Sequence, residues 1–138
     1  MSEQAKTLYT AKTHTTGGRD GAGRSADGRL DVKLTTPGTP GSGTNPEQML
    51  AVGWSACFLS AIPLVARELG VAVPAERSID AEVDLAKDDG GFFLRARLKI
   101  SLPGVERAVA ENLVRGAHDM CPYSKALKGN IDVTVELV

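Results

Sequence analysis

Strands kept apart from helices, an α+β arrangement, are what this chain of 138 residues should adopt, and three features point there. Strand-like alternation lies near the two ends and in one hairpin-like block at 78–101; a single long apolar run carries helix start and stop signals; and one further stretch keeps helical spacing. The order is therefore antiparallel strands, long helix, hairpin, helix, strand. At this length a single domain spanning residues 1–138 suffices, and such a chain can bury a real core.

Residues 8–16, LYTAKTHTT, are rich in threonine and alternate loosely, as a first strand does. Asp20-Gly21 within GGRDG is a turn signal, and a glycine-rich loop follows. RLDVKL then alternates cleanly, with Leu30, Val32 and Leu34 on one face. The Pro/Gly/Ser loop at 35–45 ends in a helix start: Asn45 as N-cap, Pro46 at the first helical position and Gln48 three residues past the cap. The helix should run from Pro46 to Leu69, stop at Gly70, and kink or split at Pro63. SIDAEVDLA sets Ile79, Ala81, Val83 and Leu85 on one face and Asp80, Glu82 and Asp84 on the other. After a turn at DDGG, FFLRARLKISL brings Arg95, Arg97 and Lys99 back against that acidic row. Val105, Val109, Leu113 and Ala117 mark a second helix over 105–119, MCPYSKALKGN a break with a short third helix, and IDVTVELV a last strand with Ile131, Val133, Val135 and Leu137 inward.

The charge balance excludes several function classes. Net charge is −1, and Lys and Arg are interspersed with Asp and Glu, so neither nucleic acid nor an anionic membrane has an electrostatic footprint to meet. The first residues, MSEQAKTLYTAK, lack the apolar core of a signal peptide, and a cytoplasmic location is expected. The run from Gln48 to Ala66 is as long as a membrane span of roughly 17–25 residues. It contains Gln48, Gly53, Ser55, Ser60 and Pro63, however, in a chain otherwise patterned as soluble strands. A helix apolar all round suits a protein core, and in so short a chain a partner subunit would cover one side.

Cys57, near the middle of that helix, and Cys121, after the second helix, are the residues to weigh for chemistry. Unpaired cysteine is often simply a small buried hydrophobe. In a reducing compartment the two are chemical or inert, not a permanent staple. Only tertiary structure could join them, and pairing or two unrelated thiols both stay open. Lowering a thiol from about 8.5 to about 5.5 takes roughly 4 kcal/mol. A helix dipole supplies about 0.3–1 kcal/mol and fades past the first turn, while burial acts the other way. A reactive Cys57 therefore needs a cation, and its helix holds none before Arg67. Arg19, between glycine and aspartate in a loop, is of the right type; a solvated turn residue is the plain alternative. Glu47, in the helix's first turn, favours the dipole there or grips an arginine. A metal site is the rival chemical reading: His118 and Cys121 are three apart, as on one helical face, but Cys57 and His14 stand isolated and no C-x-x-C occurs; no nucleophilic-serine or phosphate-loop motif is present either.

Three stretches together, GTNPEQMLAVGWSACF at 43–58, AHDMCPYSKALKGNIDV at 117–133 and GGRDG at 17–21, resemble the organic hydroperoxide resistance (Ohr) branch of the OsmC/Ohr family of thiol peroxidases. The likeness runs over nearly the whole chain in the same order. It implies that Cys57 is the peroxidatic and Cys121 the resolving cysteine, that Arg19 is the activating loop arginine and that Glu47 holds it. It also implies antiparallel sheets wrapped around long central helices in an intertwined homodimer. Met49, Phe58 and Leu59 would then contribute an apolar surround that prefers alkyl and lipid hydroperoxides to hydrogen peroxide. The implied reductant is a dithiol, dihydrolipoamide on a lipoylated protein, and no metal, flavin or haem cofactor is implied. Met49-Leu50 and Trp54-Ser55 depart from the residues commoner in relatives and bear on pocket shape. An OsmC-branch peroxidase of broader specificity, a redox sensor and an apolar-ligand binding module are the other readings.

Overall fold

The computed structural model describes residues 4–138, which fall into two compact units, one ending at Pro46 and the other running from Glu47 to Val138. In the first unit, β1 (Thr13–Thr16), β2 (Ala22–Ser25) and β3 (Asp31–Lys33) form an antiparallel sheet in the order β1-β2-β3. The first strand is shorter than the expected 8–16, because its partner β2 offers only four residues before the chain turns away at Ala26. The glycine-rich stretch after Gly21, expected as a loop, is that partner strand; its residues, AGRS, alternate too weakly in hydropathy to signal it.

α1 (Pro46–Leu69), which belongs to the second unit from Glu47 onward, has the expected limits, with Gly70 at φ 72° just beyond its end. Pro63 does not split it. Proline lacks the N–H that would bond the Leu59 carbonyl one turn back, and Arg77 Nε, at 3.2 Å, donates to that carbonyl instead, while its Nη1 bonds the Pro74 carbonyl. The freed acceptor is thus satisfied from outside the helix.

β4 (Ser78–Asp88) and β5 (Gly91–Ser101) pair along their full length, placing Asp80 opposite Lys99, Glu82 opposite Arg97 and Asp84 opposite Arg95, in the register that the charges predict. Arg97 bridges Glu82 and Asp84 at 2.7 Å each, and its hydrogen bonds hold both carboxyls below their usual range. α2 (Arg107–Met120) starts at Glu106, whose side chain accepts from the Val109 N–H, and α3 (Pro122–Leu127) follows after one residue. The final strand, β6 (Asp132–Leu137), lies beside β5 and parallel to it, so this sheet is mixed where antiparallel pairing throughout was expected. The two helices between β5 and β6 form the long crossover that a parallel neighbour requires.

The core gathers one stripe of α1 (Trp54, Phe58, Ala61, Ile62, Val65 and Ala66), the inward face of β5 (Ala96, Leu98 and Ile100) and Ala110, Leu113 and Ala117 of α2. Each large side chain fully withdrawn from water contributes about 1.5–3 kcal/mol. α1 was expected to be apolar all round, and within one chain only this stripe is buried; Val52 and Leu64 on the other side are exposed.

Candidate active site

Cys57 lies three residues after Trp54 and four before Ala61, at the edge of the buried stripe of α1, and is therefore half-buried. Cys121 stands at a corner that proline makes. Pro122 cannot continue α2, and it biases the residue before it toward extended backbone, so Cys121 adopts φ −62°, ψ 122°. Its N–H closes α2 on the Ala117 carbonyl at 2.8 Å, and its carbonyl opens α3 by accepting from Lys125 at 2.9 Å. The side chain points inward and is fully buried. Its sulfur sits 3.2 Å from that of Cys57, and both cysteines are free thiols.

Burial pushes the Cys57 thiol above its ordinary pKa. The backbone N–H of Tyr123, at the start of α3, bonds the sulfur and opposes that rise, while the adjacent Cys121 thiol adds to it. The net direction is upward, toward the unreactive neutral form. Within the second unit alone, then, the thiol pair has proximity without activation, and a cation would have to supply the latter.

Arg19 belongs to the first unit, half-buried in a single 3₁₀ turn, Gly18–Asp20. Glycine is required at both ends of this turn: Gly17 takes φ 73°, and a Cβ at Gly21 would lie 1.7 Å from the Thr16 carbonyl oxygen. The turn is pinned by the Asp20 carboxylate, which accepts the Thr36 N–H at 3.0 Å and is thereby held below the usual carboxylate range. Glu47 is half-buried in the first turn of α1, in the second unit. Of the candidate pocket residues, Met49 and Leu59 are half-buried on α1, whereas Phe58 is fully buried with its ring stacked on His118 at 6.0 Å.

Four residues at this site carry no chemical signal in the sequence. Trp54 Nε1 donates to Ser124 Oγ at 2.9 Å, both side chains being fully buried. The ring of Tyr123 lies over Gly53, where a Cβ would come within 3.0 Å of the Tyr123 Oη. No spacing rule joins residues 70 apart, so only the contact across the fold reveals the Trp54–Ser124 pairing.

Residues 38–136 match the family model described as OsmC-like protein. The organic hydroperoxide resistance protein of Xanthomonas axonopodis pv. citri is 46% identical over 141 residues, covering 99% of each chain. Organic hydroperoxide resistance protein OhrB of Bacillus subtilis is 43% identical over 94% of this chain and 98% of its own. The crystal structure of that OhrB superposes with a TM-score of 0.89 at 42% identity, covering 96% of this chain and all of the other. A Legionella pneumophila organic hydroperoxide resistance protein structure gives 0.88 at 40% identity, covering 96% and 98%. The chain belongs to the OsmC-like protein family, in its organic hydroperoxide resistance branch.

Proposed function

We propose that this protein is a cysteine-based peroxidase that reduces organic hydroperoxides to alcohols. The observation that carries the reading is the pair of free thiols 3.2 Å apart, Cys57 half-open and Cys121 buried behind it, in a chain whose relatives are named for organic hydroperoxide resistance.

In this reading Arg19 holds Cys57 as thiolate and orients the peroxide, and Glu47 fixes Arg19 through a salt bridge. The thiolate attacks the distal oxygen of ROOH; the O–O bond breaks, a proton is taken up, and ROH leaves Cys57 as the sulfenic acid. Cys121 then attacks that sulfur, water departs, and the Cys57–Cys121 disulfide forms. A dithiol reduces it by two exchanges, becoming a disulfide itself. Dihydrolipoamide on a lipoylated protein is the proposed donor, the cytoplasm the proposed location, and no prosthetic group enters the cycle. Met49 and Leu59 would contact an alkyl tail, whose burial contributes about 0.8 kcal/mol per CH₂; Phe58, being fully buried, would support that wall from behind. The working unit is proposed to be a homodimer.

Stopped-flow oxidation of the reduced protein, with thiols counted afterwards, tests the reading. An alkyl hydroperoxide should react far faster than hydrogen peroxide, two thiols should vanish per chain, and Cys57→Ser should be inert. Reaction with both peroxides at the rate of an ordinary free thiol would sink it.

A further inference from the structure

The corner that carries Cys121 is tied to α1 at two adjacent points, both one helical turn before Cys57. Ser124 Oγ accepts from Trp54 Nε1 at 2.9 Å in a fully buried setting, where an unmade hydrogen bond costs more than a made one contributes. The Tyr123 ring seats in the notch that Gly53 leaves, its Oη, Cζ and Cε2 lying 3.0, 3.4 and 3.5 Å from where a Cβ at residue 53 would be. Gly53 and Trp54 precede Cys57 by four and three residues, so they and Cys57 lie along one side of α1. Tyr123 and Ser124 follow Cys121 by two and three residues, within the first turn of α3. The 3.2 Å sulfur–sulfur approach is bracketed by these ties.

We propose that the Trp54–Ser124 hydrogen bond and the Gly53–Tyr123 contact form a clamp that positions Cys121 for disulfide closure, and that this clamp sets how much peroxide the protein withstands before it is overoxidised. The second half rests on the peroxidase reading above. The Cys57 sulfenic acid has two fates. Cys121 attacks its sulfur, the S–O bond breaks and water leaves; or a second ROOH transfers an oxygen to it, giving sulfinic acid and ROH. The first rate depends on effective molarity, and a misplacement of about 1 Å can cost roughly 10²-fold. The second depends only on peroxide concentration. Loosening the clamp therefore slows closure and leaves overoxidation as it was, so the inactivating peroxide concentration falls in proportion. Trp54, Ser124, Gly53 and Tyr123 are positioning residues here, acting through Cys121.

The test compares wild type with Trp54→Phe, Ser124→Ala, the double variant Trp54→Phe/Ser124→Ala, and Gly53→Ala. Two readouts are taken on each: the equilibrium between dithiol and disulfide forms in glutathione buffers, which needs no peroxidase activity, and sulfinic acid content by intact mass after graded cumene hydroperoxide. Effective thiol concentration should fall at least roughly tenfold in every variant, and the peroxide dose giving half sulfinic acid should fall with it. The double variant separates positioning from stability. Removing both partners relieves the orphaned buried N–H that Ser124→Ala leaves, so its unfolding midpoint should recover toward wild type while its closure stays impaired. Glutathione equilibria equal to wild type in all four variants overturn the clamp. Loss of effective concentration without any fast peroxide reaction in wild type keeps the positioning of Cys121 and overturns the peroxidase reading and the overoxidation link built on it.

Discussion

At Cys57 two opposed influences are on view, burial favouring the neutral thiol and the Tyr123 amide favouring the thiolate, and burial prevails. A thiol with a raised pKa holds less thiolate at pH 7 than free cysteine does, so unaided it would react more slowly than cysteine in water. If Arg19 supplies the missing positive charge, its removal lets the pKa climb back up. The sign is then fixed: Arg19→Ala should lower the single-turnover rate with alkyl hydroperoxide at pH 7 by roughly tenfold per unit of pKa regained, and the rate should recover only as the pH rises past the ordinary thiol range, because burial holds the Cys57 thiol above it. Arg19→Lys, a point charge without the bidentate fork, should fall between. A pH–rate profile whose midpoint stays in place in Arg19→Ala would mean that another group activates the thiol. The sequence alone already sets the need for a cation, because α1 offers none near Cys57. The proximity of Cys121 was not legible in this way, since no spacing rule joins residues so far apart.

Local rules govern most of the elements, and what escaped them is non-local. The ends of α1 follow from Pro46 and Gly70, and the β4–β5 register follows from facing rows of opposite charge, because caps and cross-strand pairs act over a few residues. The parallel placement of β6 depends on where α2 and α3 return the chain, and β2 owes its existence to its partners on either side; neither is written in the strand's own residues. The continuity of α1 through Pro63 is of the same kind. It relies on Arg77, fourteen residues on, supplying the donor that Leu59 lacks. Arg77→Ala should therefore destabilise the fold by about 1–3 kcal/mol in urea unfolding, the range for stranding a partly buried acceptor. In a Pro63→Ala background the new alanine brings its own N–H to the Leu59 carbonyl, and the same Arg77 change should cost markedly less. Equal costs in the two backgrounds would show that Arg77 stabilises by its contact with the Pro74 carbonyl or by packing, not by repairing the helix.

The molecule as a whole leaves apolar surface on its longest helix. By length and composition α1 is apolar enough to cross a membrane, and only a third of its most apolar window is buried within the chain. Trp54, Phe58 and Ile62 are fully committed to the core, so lipid cannot surround the helix without dismantling it. On the opposite side Val52, Ala56, Ser60 and Leu64 recur every fourth residue and are all exposed, Val52 by 71% and Leu64 by 46%. Isolated exposed hydrophobics need no explanation, but a stripe repeated at helical spacing does. The homodimer proposed above would meet that need with the same surface on both copies, as a two-fold interface requires. The protein should sediment as a dimer at micromolar concentration, and Leu64→Asp, placing a carboxylate in the apolar stripe, should shift it to monomer or abolish folding altogether. Wild-type protein that sediments as a monomer while keeping full peroxidase activity would refute the dimer, and binding to neutral lipid vesicles would reassign the stripe to a membrane surface. If the dimer holds, dilution below its dissociation constant should lower thermal stability along with association, because the apolar side of α1 would then face water.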